Sequence, residues 1–245
     1  MKITILGAGV MGTIFQKALI EKKVFNSEDV QMVDHDQETK HGDTYLLAVK
    51  PQDFEETAKR LANVKDKLII SIMTGIPIKR MEKAMPGNRI VRSMPNLGAQ
   101  SFKSMTVWMA GEGLPAEEQE LVEKILSAIG EELEVDNEDL LDAATAVSGS
   151  GPGYVYYFAR KMMESAQELG FKEEEADKLI KQTLEGTLQA WKDSGLSANE
   201  LENRVTSKGG TTEAGLNEFR ENNLGQTIVN GIKKAYQRAK ELSKL

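Results

Sequence analysis

Residues 1–12 read Met-Lys-Ile-Thr-Ile-Leu-Gly-Ala-Gly-Val-Met-Gly, and nothing else in the chain restricts its fold as tightly. A short apolar run feeds directly into Gly7-x-Gly9-x-x-Gly12, and apolar residues then recur at helical spacing through Ile14, Ala18 and Leu19. A strand that turns on glycines into a helix opens a βαβ unit. Each glycine has its own task in that unit. Gly7 permits the tight turn, Gly9 lets the backbone approach a pyrophosphate, and Gly12 lets helix and strand pack closely. The six residues Gly7, Ala8, Gly9, Val10, Met11 and Gly12 are therefore the candidate dinucleotide cradle.

The next apolar run, 30–33, ends at Asp34, 22 residues beyond Gly12. A carboxylate there accepts hydrogen bonds from ribose hydroxyls and repels a 2′-phosphate, so Asp34 leans the site towards NADH over NADPH. His35 and Lys40 follow closely enough to blur that preference. Only ten polar residues separate Asp34 from the apolar run 45–49, fewer than a parallel crossover with its helix normally takes. The crossover is expected to be a loop or a single turn. Lys50 and Pro51 then fall at the carboxyl end of a strand, where open α/β sheets bind ligands. Runs at 68–72, 89–94, 105–109 and 132–135 read as further strands, and 54–61, 78–84 and 115–129 as helices. This alternation specifies an N-terminal Rossmann-type, doubly wound, mostly parallel sheet.

From about residue 139 the strand pattern stops. The glycine-dense junction Val147-Ser-Gly-Ser-Gly-Pro-Gly153 precedes helical patterns at 154–169, 173–191, 196–205 and 224–242. The chain thus divides into a dinucleotide-binding domain, 1–147, and an all-α domain, 148–245. The first long helix carries Tyr154, Val155, Tyr157, Phe158 and Met162 on several faces, so it needs more than one covering partner. In a domain of about 100 residues a second subunit supplies that cover, which predicts a homodimer. Within this half, Thr206 to Thr212 holds two glycines and four hydroxyl side chains just before another helical pattern. Two readings fit: a helix start capped by Thr211 or Thr212, or a cradle for a small carboxylate.

Composition excludes several classes. A net charge of −7 with no Lys/Arg block argues against nucleic-acid binding. With no cysteine there is no disulfide, thiolate metal site or Cys nucleophile. The two histidines lie in a polar segment, and no metal site is expected. No leader-like segment and no apolar run near the length of a membrane span is found, so a cytoplasmic, membrane-free location is expected.

Five segments together resemble the pyrroline-5-carboxylate reductase family: Ile5-Leu-Gly-Ala-Gly-Val-Met-Gly12, Leu47-Ala-Val-Lys-Pro-Gln52, Arg92-Ser-Met-Pro-Asn96, Ala146-Val-Ser-Gly-Ser-Gly-Pro-Gly-Tyr154 and Val205-Thr-Ser-Lys-Gly-Gly-Thr-Thr212. They occur in the family's order and span nearly the whole chain. The resemblance implies NAD(P)H-dependent reduction of the cyclic imine 1-pyrroline-5-carboxylate to L-proline. It implies a C-terminal all-α dimerisation domain and, in many members, a ring of dimers. On the matching positions, Val49, Lys50 and Pro51 would line the nicotinamide-ribose side, with Met94, Pro95 and Asn96 near the nicotinamide. Ser207, Gly209, Gly210, Thr211 and Thr212 would bind the substrate carboxylate and ring nitrogen. An iminium carbon is already electrophilic, so the protein must mainly orient it and hydrogen-bond its nitrogen. Thr212 is the candidate for that bond, directly or through a water.

The chain departs from the family pattern at Lys208, usually Pro, at Leu97-Gly98, usually Thr-Pro, at Ser197-Ala198, usually His-Pro, and in the short crossover. A β-hydroxy-acid dehydrogenase is a rival reading, but it needs a lysine soon after the glycine junction, and the first here is Lys161. A non-catalytic dinucleotide-binding scaffold is another, but it has no use for the loop from Ser207 to Thr212.

Overall fold

The structure is a computed structural model and describes residues 1–34, 37 and 41–244. Its backbone separates into two compact units: Met1–Pro152 together with the stretch from Lys233 onward, and Gly153–Ile232.

The first unit is built on a seven-stranded sheet of order β2-β1-β3-β4-β5-β6-β7. Its strands are β1 (Ile3–Leu6), β2 (Val30–Val33), β3 (Thr44–Leu47), β4 (Leu68–Ser71), β5 (Arg89–Met94), β6 (Ser104–Ala110) and β7 (Gly130–Glu134). Every pairing is parallel except β5 with β6. Strands β1, β3 and β4 are buried along their whole length, as the continuous apolar runs of a sheet covered on both faces require. On one face Phe15, Ala18 and Leu19 of helix α1 (Val10–Glu21) pack with Ile3, Ile5 and Leu46. Val122, Ile125 and Leu126 of α4 (Ala116–Ser127) complete that layer. On the other face Phe54 and Ala58 of α2 (Phe54–Arg60) and Met81 of α3 (Ile78–Ala84) cover Leu6, Leu47 and Ile69. Each such side chain contributes roughly 1.5–3 kcal/mol when fully buried.

β3 ends at Leu47, two residues before the expected 49. The chain then reaches a 3-10 turn at Pro51–Asp53, because Pro51 has no N–H for a ladder and suits a turn start. The connection from β2 to β3 passes from one side of β1 to the other. Half of it, including His35 and Lys40, lies outside the described residues.

Among the elements not anticipated, two are adjacent. Helix α5 (Glu138–Ala144) starts on Asn137, whose side chain accepts from the Asp139 N–H, and runs into a π-helical turn at Thr145–Gly149. Beneath α5, Arg92 of β5 is 3% exposed and donates to Glu138 at 2.8 Å and Asp142 at 2.7 Å. The same Glu138 oxygen accepts the Ile78 N–H that opens α3. The chain's last helical turn joins this cluster. Ser243 Oγ donates to Asp142 at 3.0 Å, and Lys240 pairs with Asp139 at 3.2 Å. Leu242 lies so near Gly75 that a Cβ there would be 3.1 Å from the Leu242 carbonyl oxygen.

The second unit contains α6 (Gly151–Glu168) from Gly153, α7 (Glu173–Ser194), α8 (Ala198–Val205), α9 (Thr211–Glu221) and the start of α10 (Leu224–Leu242). Gly195 takes the left-handed conformation that closes α7, and a Ser197–Glu200 capping box opens α8. No residue of α6, α8 or α9 is buried. Tyr154, Val155, Tyr156, Tyr157, Phe158, Leu188 and Trp191 are all exposed. Helices with this much uncovered apolar surface need a second chain. Among the described residues no helix is long and apolar enough to cross a membrane.

Candidate active site

The parallel strands β1, β3, β4 and β5 end on one edge of the sheet, which brings three of the expected segments to the same side. Gly7–Gly12 follows β1, Val49–Pro51 follows β3, and Met94–Asn96 closes β5. The strand order reverses direction between β1 and β3, and open α/β sheets bind ligands at that crevice.

Gly7 and Gly12 make the close backbone approaches expected of them. Gly7 has φ +108°, and a Cβ on it would meet the Ala48 carbonyl oxygen at 2.5 Å. A Cβ on Gly12 would overlap the Gly7 carbonyl oxygen. Gly9 is different: nothing lies within 4 Å of its Cβ direction, so the backbone there faces open space. Gly9 is also the cap of α1, which has no side-chain cap bond and no acid in its first turn. Val10 beside it is 64% exposed. Uncapped N–H groups at an accessible helix start attract an anion, and the open Gly9 leaves room for a pyrophosphate. A cleft of about 370 Å³ runs from this cradle past Val49 and Lys50 to Asp34 and α2.

Asp34 is exposed at the end of β2, in the cleft, where the ribose acid is expected. Its backbone is held: the carbonyl accepts from Arg60 Nη2 at 3.2 Å, and the N–H donates to Gln37 Oε1 at 3.3 Å. Arg60, the last residue of α2, was not anticipated. A basic residue at a helix C-terminus is common, and nothing local signals that it reaches β2.

Pro95 is buried, and Met94 and Asn96 are half-buried. Met94 packs against the π-turn, since a Cβ on Gly149 would lie 2.9 Å from Met94 Cε. Thr74 Oγ1 donates to Met94 Sδ at 3.5 Å. Both ends of the Asn96 amide have structural partners. Its Oδ1 accepts from the Gly98 N–H at 2.9 Å, and its Nδ2 donates to the Ser148 carbonyl at 3.0 Å. The first three residues of the glycine junction noted in the sequence thus belong to a π-turn that braces the segment after β5. Such turns are frequent at functional sites.

In the second unit, residues 207–210 form a β-turn. The Gly210 N–H donates to the Ser207 carbonyl at 2.9 Å, and Gly209 has φ +74°. A positive φ at the third position is the mark of a type II turn, in which Pro is favoured at the second. Lys208 holds that second position, so the family's Pro and this Lys suit the same backbone. Gly210 caps α9, with no side-chain cap bond. Thr211 and Thr212 therefore lie inside the helix and do not cap it, unlike the cap reading of the sequence. Their hydroxyls, with Ser207 and Gly209, are exposed at the helix start. Glu213, three residues past the cap, accepts the Gly209 N–H at 2.7 Å.

The family model described as pyrroline-5-carboxylate reductase dimerisation matches residues 138–242. One described as NADP oxidoreductase, coenzyme F420-dependent, matches residues 26–75. A pyrroline-5-carboxylate reductase of Staphylococcus haemolyticus is 31% identical, across 100% of this chain and 98% of its own. One from Methanosarcina acetivorans is also 31% identical, across 99% and 98%. Among solved structures, a pyrroline-5-carboxylate reductase from Coxiella burnetii matches with a TM-score of 0.88 at 29% identity, over 100% of this chain and 99% of that one. The Plasmodium falciparum enzyme, crystallised with NADP bound, matches with a TM-score of 0.90 at 25% identity, over 99% and 98%.

Proposed function

The chain belongs to the pyrroline-5-carboxylate reductase family, and on that premise we propose how its own residues perform the family's reaction. The protein is an NAD(P)H-dependent oxidoreductase that reduces 1-pyrroline-5-carboxylate to L-proline. The observation that carries this reading is the similarity over the full length, fingerprint and helical unit together. It acts as a homodimer through its helical unit.

When bound, the reduced nicotinamide supplies the hydride that the imine carbon accepts. The cradle Gly7, Ala8, Gly9, Val10, Met11 and Gly12 holds the pyrophosphate with uncapped backbone N–H groups. Asp34 addresses the adenosine ribose. Val49, Lys50 and Pro51 line the nicotinamide-ribose side, and Met94, Pro95 and Asn96 define the nicotinamide pocket. The backbone and side-chain bonds of Asn96 fix that segment, so its part is to hold the wall in place. Ser207, Gly209, Gly210, Thr211 and Thr212 take the substrate carboxylate and ring nitrogen, aided by the positive end of α9. Thr212 hydrogen-bonds the nitrogen, keeping the imine oriented and its protonated form favoured. No strong acid is needed, because the imine can arrive protonated.

Mixing the purified protein with the imine and NADH or NADPH, and following the reduced-nicotinamide absorbance, tests the reading. Consumption that needs both imine and protein, with proline formed, is expected. Cofactor binding without consumption of either dinucleotide would instead indicate a scaffold. Assembly of the dimers into a ring, and residence in the cytoplasm, complete the proposal. Light scattering at working concentration checks the first, and cell fractionation the second.

A further inference from the structure

Met94, in the wall proposed for the nicotinamide, is gripped from two sides. Thr74, in the turn after β4, donates its hydroxyl to Met94 Sδ at 3.5 Å. From the other side comes the π-turn, where a Cβ on Gly149 would lie 2.9 Å from Met94 Cε. Leu141 and Ala144, in the helix that leads into that turn, pack with Met94 as well. A methionine side chain is flexible and fills the space its neighbours leave. Its position is therefore set by two supports: the turn at 74–75, and α5 with its π-turn.

Both supports meet the last turn of the chain. Gly75, next to Thr74, has φ +76°, and a Cβ on it would stand 3.1 Å from the Leu242 carbonyl oxygen and 3.3 Å from Leu242 Cβ. Asp142 of α5 accepts the Ser243 hydroxyl at 3.0 Å. The Ala239 carbonyl lies 3.2 Å from the same hydroxyl, but the carboxylate is the nearer and the stronger acceptor. The oxygen that takes Ser243 also takes Arg92 Nη2 at 2.7 Å, so the chain's end joins the ion cluster that fixes α5 to β5. Glu138 links the two supports directly. It accepts from Arg92 and from the Ile78 N–H that begins α3, just after the turn at 74–75. All of these residues belong to one compact unit.

We infer that Ser243 is a positioning residue for the reduction: through Asp142, and with Leu242 on Gly75, it holds the two supports at the spacing that seats Met94. The inference rests on the reductase reading of the cleft and deepens it. Hydride transfer requires donor and acceptor carbons in near-attack geometry, and a misplacement of about 1 Å costs roughly a hundredfold in rate. A support displaced by a fraction of that slows the transfer without loosening the dinucleotide, whose pyrophosphate and ribose are held elsewhere.

Two measurements on the full chain test this. The first needs no cofactor. With ¹³C-methyl-labelled methionine, the Met94 resonance, assigned by its loss in Met94→Leu, should shift or broaden in Ser243→Ala. The second is single-turnover hydride transfer to the imine. It should slow about threefold in Ser243→Ala and about tenfold in Ser243→Glu, whose carboxylate repels Asp142, with the dinucleotide Kd within about twofold of wild type. Ser243→Thr keeps the hydroxyl and should match wild type in both measurements. A Met94 resonance unmoved in both Ser243→Ala and Ser243→Glu, whatever their melting temperatures, would make the last turn a structural brace only and overturn the inference. Unchanged transfer rates would overturn it too. If the wild type itself transfers no hydride to the imine, the reductase reading fails, and the inference falls with it.

Discussion

The Glu213 carboxylate accepts the Gly209 N–H at 2.7 Å, placing an anion of the chain's own at the start of α9. That N–H is one of the groups assigned to the substrate carboxylate. The side chain thus stabilises the empty loop and competes for its donor. Glu213→Ala should lower stability by about 1 kcal/mol, as the loss of a helix-start bond does. It should also lower KM for the imine. A KM unchanged or raised would mean that the substrate does not use Gly209.

Gly9 and Gly12 make opposite demands on a methyl group. Gly12→Ala forces Cβ into the Gly7 carbonyl, and the melting temperature should drop by several degrees. Gly9→Ala meets nothing in the protein, so melting should barely change. Its methyl occupies the pyrophosphate's approach instead, and KM for the dinucleotide should rise about tenfold or more. Equal loss of stability in both variants would contradict the cradle's geometry.

Lys208 sits where a type II turn favours proline. Lys208→Pro should raise stability by roughly 0.4–1 kcal/mol by restricting the unfolded chain. It also removes a cation next to the proposed carboxylate site, so KM for the imine should rise. A higher melting point with unchanged KM would confine Lys208 to the turn.

Thr212→Ala should reduce kcat by tenfold or more while leaving dinucleotide affinity, measured by titration, within about twofold. Lost dinucleotide binding would show the loop to be misassigned. Arg92→Met addresses stability alone. It leaves Glu138 and Asp142 without their shared cation, and stability should fall by about 3–5 kcal/mol in urea titrations at fixed protein concentration. A loss under about 1 kcal/mol would mean that the cluster is not acting as a buried pair.

Asp43 gives the pH dependence. Its carboxyl is held below the usual range, chiefly by the Lys2 N–H at 2.9 Å, with Lys67 adding attraction. A group lowered on folding stabilises the fold above its unfolded pKa, and that share disappears as pH falls through its folded pKa. Asp43→Asn should therefore melt below wild type at neutral pH, and the gap should close on acidification below about pH 4. A gap that widened in acid would reverse the sign.

Where a structural instruction is local, the residues carry it openly. Gly7, Gly9 and Gly12 state a backbone path, the apolar runs at β1, β3 and β4 state a sheet covered on both faces, and the expected helix over 224–242 coincides with α10. Strand direction is less visible. The run at β6 has the same composition whether it lies parallel or antiparallel to β5, and only the connecting turn decides. The π-turn at Thr145–Gly149 is also hidden, because one residue added to a helical turn leaves its composition unchanged. Least legible are side chains that reach backbone groups far away in sequence. Arg60 on the Asp34 carbonyl and Asn96 on the Ser148 carbonyl have no periodic signature, and each bears on a site segment that was itself readable.

The first unit is discontinuous in the chain, and this sets an order on its making. Leu242 against Gly75 and Ser243 on Asp142 are contacts of the dinucleotide-binding unit made by residues translated after all the intervening helices. During synthesis the sheet can form early, but the carboxylate cluster between β5 and α5 must wait for the end of α10 to emerge. A nascent chain therefore carries an unfinished cofactor unit until its dimerisation helices already exist.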